Sequence, residues 1–460
     1  MTAAPGLMDR LTALRQRLGE LTLPTNRPPA GQQLRDLELQ LASLRQANRQ
    51  LEQQLTQLLG EGTRSEAADG PPALTWRLRR LLLRARQQIE QLKALTHLVA
   101  RHAPEGAPQE CLQATIALAE FLLRTIETLP ADHEVQDRLG DGLEAGLAVL
   151  NERHQQLAAV AERMRQRHEQ VESLARLLER LAGRQPVAQA EFDPLIEALR
   201  AQHTCAQPLV WYGGVEVRQS RWAARQGLNT AAVLARALPE QGEAPLVKET
   251  LLAALVHDVG LIPLEGLQGQ VGEYSAEQRR ELERHPSLGA ELIAAAWPDE
   301  LWLADAVAAH HENLDGTGYP QGRTSGAISQ LARWLRIGAT YAALCQANHR
   351  RRALNPRAAL TEVLLEAERG KLDLALGEKL QQQVTPTPTG TLVELSDGSL
   401  GLVRLAKSRP LVQLVAGADG RAPALPEFLD LARLPQRQMV RVFPLDEARQ
   451  LLGPDHLELW

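Results

Sequence analysis

Two stretches of this chain are so apolar that only a buried element can hold them, and each ends in a pair of metal-binding side chains. Residues 251–256 are apolar on every side and run into His257 and Asp258, while residues 301–309, apolar except for Asp305, run into His310 and His311. A helix that is hydrophobic all round must lie inside a core. Gly260 then marks the end of the first helix, and both polar pairs are carried to the interior, where each needs a partner. His285 stands before Pro286, where the backbone is pushed out of the helical region and a helix is expected to break. Neutral imidazoles and a carboxylate are good ligands for divalent ions of the Fe, Mn or Zn class. Taken singly, each histidine reads as a hydrogen-bonded structural residue; taken together, the three segments predict a metal centre.

Glu312, Asp315, Gly316, Gly318, Tyr319 and Pro320 follow at fixed offsets and complete the pattern HHExxDGxGYP. This resembles the HD-GYP family, metal-dependent phosphodiesterases of cyclic di-GMP signalling. The resemblance spans residues 187–384 and is most specific over 251–344. It implies an all-α domain in which Asp258, His285, His310 and His311 hold an ion, with His257 supporting it or a weak second one. It also implies His257 and Asp258 as the catalytic pair and a nucleotide partner such as cyclic di-GMP. Gly316, Gly318 and Tyr319 would border the substrate, although glycines there read equally well as a structural turn. Arg350 and Arg351 lie near where the family carries basic residues for phosphates, and the run ending at Arg352 reads equally as a solvated face.

The family also has a histidine on an earlier helix, an aspartate on a later one and a lysine after HDxG. By register those positions hold Ala223, Ala339 and Leu261. The losses fall mainly on one of the family's two ions, leaving the other with a carboxylate and three imidazoles, so one ion per chain is expected. Two metals clamp both the attacking and the leaving oxygen of a displacement, so a single ion predicts weak or absent hydrolysis. Glu312 or Asp305 substituting for the missing aspartate is the alternative for the site. For the whole protein the alternatives are a non-catalytic regulator that binds cyclic di-GMP or a partner protein, and a phosphohydrolase of another nucleotide, because fold does not fix substrate.

The 460 residues leave room for several domains. A net charge of -5 disfavours DNA binding. Cys111, Cys205 and Cys345, odd in number and in no CxxC, point to a reducing cytoplasm. No leader is visible at the start, and no run of about 18 apolar residues predicts a membrane span. Leu34, Leu37, Leu41, Leu44, Asn48, Leu51, Leu55 and Leu58 alternate spacings of three and four, with leucine at every d position and Asn48 at an a position. That seam predicts a parallel homodimeric coiled coil through residues 34–58; a helix packed on its own bundle with Asn48 solvated is the alternative.

The expected architecture is mainly α. It comprises a coiled-coil region over 1–60, a linker over 61–73, a helical bundle and signalling helix over 74–186, the HD-GYP-like domain over 187–384 and a small antiparallel β domain over 385–460. Helices are expected over 74–102, 109–129 and 133–182, the last leading toward the metal domain as a relay for a signalling partner would. In the tail, Asp397 and Gly398 sit between alternating runs and predict a tight hairpin.

Overall fold

The three long periodic stretches form helices close to those bounds: α1 Trp76–His102, α2 Ala107–Glu127 and α3 His133–Ala182. They belong to a computed structural model that describes residues 76–102, 107–127, 133–202, 208–213, 218–238, 244–264, 274–347, 351–405, 410–421, 423 and 427–452. The heptad seam of residues 34–58 and the linker of 61–73 lie outside the described residues. On α1, Leu81, Ala85, Ile89, Leu92, Leu95 and Val99 recur at helical spacing. They bury that stripe with Leu112 and Ile116 of α2 and Leu143, Leu147 and Leu150 of α3.

The chain divides into two compact units, with the cut inside α3 between Arg165 and Gln166. The last turns of α3 belong to the second unit, because Val171, Leu174, Leu178 and Leu181 join its core. The unit that carries the metal-binding residues therefore begins some way before the helix-ending turn at residues 183–184.

That unit continues through α4 Asp193–Gln202, α5 Gln219–Ala237, α6 Ala244–Val256, α7 Ala276–Leu282, α8 His285–Ala296, α9 Leu301–Ala309, α10 Gln330–Leu344, α11 Pro356–Glu368 and α12 Leu374–Val384. Leu251, Ala253, Ala254, Leu255 and Val256 are wholly buried, as an all-round apolar helix requires. The break expected at Pro286 falls just before it: α7 ends at Leu282, and proline occupies the first turn of α8, where its missing N–H is no loss.

Small residues set how closely these helices meet. A Cβ on Gly227 of α5 would lie 2.8 Å from the Leu255 carbonyl oxygen, and one on Gly338 of α10 would lie 2.7 Å from the Leu234 side chain. The tightest approach is at Gly260, where a Cβ would lie 2.0 Å from the His285 carbonyl oxygen and 2.5 Å from the Gly289 nitrogen. The turn after α6 is thereby pressed directly onto the backbone of α8.

The carboxy-terminal sheet comprises β1 Leu392–Leu395, β2 Leu400–Leu405, β3 Leu411–Ala416, β4 Phe428–Asp430 and β5 Met439–Val442, in the order β4-β3-β2-β1-β5. Neighbouring strands are antiparallel throughout. Gly398 takes φ 82° in the β1–β2 turn, and Asp397 Oδ1 accepts from the Ser399 amide at 3.1 Å. The tail is not wholly β, since α13 Leu445–Leu452 follows the sheet. Among the described residues no helix is long and apolar enough to cross a membrane.

Gly260→Ala should cost at least about 2 kcal/mol, because the clash is with backbone that cannot rotate away. Gly142→Ala, a helical site with nothing within 4 Å of the added carbon, should instead stabilise by up to about 1 kcal/mol. Thermal melts of the two variants check both signs.

Candidate metal centre

The cluster is built from three helix ends. The last carbonyls of a helix lack intrahelical donors, and in each case a histidine supplies one. His257 Nδ1 lies 2.7 Å from the Ala254 oxygen at the end of α6, His285 Nδ1 lies 2.6 Å from the Leu282 oxygen at the end of α7, and His310 Nδ1 lies 2.6 Å from the Val307 oxygen at the end of α9. A carbonyl only accepts, so each Nδ1 carries the proton and donates it. In a neutral ring so oriented, Nε2 keeps its lone pair.

Those lone pairs face one another. His285 Nε2 is 3.2 Å from His310 Nε2, and Asp258 Oδ1 is 3.3 Å from the first and 3.6 Å from the second. His311 contributes a fourth donor atom, and one atom from each of Asp258, His285, His310 and His311 falls within 4.8 Å of the others. Four acceptors at such spacing repel unless a cation stands among them. Tetrahedral coordination at about 2.0–2.2 Å gives donor-to-donor edges of roughly 3.3–3.6 Å, so the donor set fits a first-row divalent ion.

Asp258 presents its other oxygen, Oδ2, to His257 Nε2 at 3.4 Å. One carboxylate thus faces two sides: three histidines on one, His257 on the other. His285 and Asp258 are buried, and His310 is wholly so. Burial pushes His310 down to about 4 and His311 well below its ordinary value, which keeps both rings neutral as ligands must be. Burial alone would raise the Asp258 carboxyl; the imidazole of His257 beside it, and His285 and His310 whenever their Nε2 atoms carry a proton to donate to it, outweigh that and hold it well below the usual range.

The loop after His311 forms one wall. Tyr319 stacks on His311 with ring centroids 4.6 Å apart and planes 18° from parallel. Gly318 must be glycine for this path, since a Cβ there would lie 2.2 Å from the Asn313 nitrogen, and Gly316 takes φ 79°. Glu312 Oε1 and Oε2 accept from the amides of Gln321 and Arg323 at 2.7 and 2.9 Å, and Asp305 pairs with the Arg323 guanidinium at 2.6 Å. Both carboxylates raised above as stand-ins for the missing aspartate are therefore engaged in holding the loop.

Ala223 is wholly buried on α5, Leu261 is buried, and Ala339 is half-buried on α10; none carries a donor atom. Arg351 donates to the Ala343 carbonyl at 2.6 Å near the end of α10, and Arg350 lies outside the described residues. Sequence reasoning missed two neighbours. Lys371, distant in the chain, accepts the Leu314 amide on its carbonyl at 2.9 Å. Arg336 reaches Asn313 Oδ1 from α10, and its one signal was a charge one turn before Ala339 on the same helix face.

Residues 216–376, about a third of the chain, match the HD domain family. A cyclic di-GMP phosphodiesterase of Pseudomonas aeruginosa is 29% identical over 222 residues, 47% of this chain and 52% of that protein. A cyclic di-GMP phosphodiesterase response regulator of Xanthomonas campestris pv. campestris is 32% identical over 123 residues, 26% of this chain and 32% of that one. A 3'3'-cGAMP-specific phosphodiesterase of Vibrio cholerae is 33% identical over 82 residues, 18% of each chain. The chain spans about half the length of the first of these relatives and less of the others.

His310→Ala removes a central donor and should lower metal affinity at least about tenfold. Glu312→Ala should keep the metal yet cost about 2 kcal/mol, the loss of two charge-assisted bonds to loop amides. Elemental analysis beside thermal melts separates the two roles, and metal loss in a folded Glu312→Ala would make Glu312 a ligand after all.

Proposed function

We propose that this chain, a member of the HD-GYP family through residues 216–376, is a cyclic di-GMP signalling protein on a metal-dependent phosphodiesterase scaffold, holding one divalent ion and hydrolysing its substrate weakly or not at all. The observation that supports it is the single cage of acceptors at Asp258, His285, His310 and His311, with His257 facing the opposite carboxylate oxygen. When bound, a divalent ion supplies a Lewis acid for a phosphoryl oxygen and lowers the pKa of a coordinated water.

The chain's own residues do the positioning. The Nδ1–H bonds to Ala254, Leu282 and Val307 lock ring orientation, so the donor geometry is set before any ligand arrives. His257 and Asp258, the catalytic pair of this reading, hold the shared carboxylate between its two sides. Gly316, Gly318 and Tyr319 shape the wall along which a dinucleotide lies. On the far side of Asp258, Ala223 and Ala339 offer no donor, so the leaving oxygen lacks a second clamp. Residues 34–58 pair two copies in parallel, and α1 to α3 relay occupancy to a protein partner.

A second reading is a non-catalytic regulator, favoured by Ala223, Leu261 and Ala339 together. The relative specific for 3'3'-cGAMP also widens the substrate class to other cyclic dinucleotides.

Purified protein should carry one equivalent of metal per chain, with slow turnover of cyclic di-GMP that His310→Ala abolishes. The assay runs cyclic di-GMP, 3'3'-cGAMP and linear dinucleotides side by side. Binding without turnover selects the regulator, preference for another nucleotide changes the substrate, and two equivalents with brisk hydrolysis ends the one-ion reading.

A further inference from the structure

Arg336 lies half-buried on α10 against the loop that walls the metal centre. Its Nε and Nη2 both donate to Asn313 Oδ1, at 3.3 and 3.1 Å, and its Nη1 donates to Thr340 Oγ1 at 3.4 Å. These acceptors are neutral; the Glu366 carboxylate acts on Arg336 through space, but among the described residues no carboxylate forms an ion pair with it. Cations nearby do have carboxylate partners: Arg323 has Asp305, Arg333 has Asp373, and Arg369 and Lys371 share Glu366. Asn313 stands two residues beyond His311 in that loop, so these bonds set the guanidinium beside the wall of the cluster. Burial lowers the pKa of Arg336 below its ordinary value, yet a guanidinium does not lose its proton. A desolvated cation of this kind is costly until an anion meets it.

The donor count says which anion. A guanidinium has five N–H groups in a planar fork, and three are engaged here. One remains on each terminal nitrogen, and a pair of donors on the two terminal nitrogens can bind two oxygens of one phosphate. One turn further along the same face of α10 stands Ala339, which leaves that edge open.

We propose that Arg336 is a phosphate seat beside the metal centre, an organic cation that binds the phosphodiester on the side where Ala339 leaves no ligand for a second ion. This rests on the one-ion reading above. The guanidinium binds and orients two non-bridging phosphate oxygens, and Asn313 and Thr340 hold its fork in place; lysine, a point charge without the fork, is a partial substitute.

The test uses the full chain with its metal bound, with inorganic phosphate and cyclic di-GMP as probes in calorimetry and metal content measured on the same samples. Arg336→Met should weaken both probes at least tenfold with metal content unchanged, and Arg336→Lys should fall between. Ala339→Asp should pair with Arg336 at i and i+3 and weaken phosphate comparably, which decides the matter should Arg336→Met misfold. Unchanged phosphate affinity in a folded Arg336→Met, or in a folded Ala339→Asp that has gained no metal, overturns the proposal. Wild-type protein that holds no metal counts against the reading beneath it; metal retained with phosphate binding indifferent to Arg336 counts against the seat alone.

Discussion

Lone pairs that point at one another are unfavourable, and the 3.2 Å approach of His285 Nε2 to His310 Nε2, with Asp258 Oδ1 beside them, sets the demand that the surrounding structure meets. Burial rules out relief by bulk water, so the cluster needs a proton or a cation. The fold holds the acceptors in this array by two means. Each ring N–H satisfies a carbonyl left over at a helix end, which would otherwise be an unpaired polar group in a core. Gly260 lets the turn after α6 touch the backbone of α8, which brings Asp258 to His285. One construction therefore completes three helix ends and gathers the donors for a metal.

The donors were legible in the sequence because their types and their placement at the ends of apolar runs are one-dimensional facts. Their convergence was expected from the three segments together, but the contact that achieves it, Gly260 against the His285 carbonyl, was not legible, because it joins positions across a gap in the chain. The long helices could be read from periodicity alone, and Trp76–His102 and His133–Ala182 follow the expected bounds closely. Phe428–Asp430 is too short to show alternation, and Leu445–Leu452 follows five strands closely enough to be taken for more sheet. Arg336 was hidden for another reason: an arginine among apolar neighbours reads as a side chain reaching for solvent, and only its bonds to Asn313 turn it inward.

The packing boundary within α3 bears on how a signal would reach the site. Because Val171, Leu174, Leu178 and Leu181 are core residues of the second unit, the carboxy-terminal turns of the long helix are structural parts of the metal domain. A change of register or tilt in those turns would have to repack that core, and packed cores shift between discrete arrangements more readily than they deform continuously.

Charge ties the metal site to Arg336. On the proposed one-ion reading, alanine in place of a carboxylate at position 339 makes the local charge one unit more positive than a two-ion arrangement would have, one divalent ion fewer makes it two units less positive, and the Arg336 guanidinium adds one. The formal charge presented to a phosphodiester is then unchanged, so affinity for the anion can persist while the catalytic contribution declines. A guanidinium binds phosphate by fixed hydrogen bonds, but it cannot lower the pKa of a water or accept a leaving oxygen as a ligand, which are the tasks of a second metal.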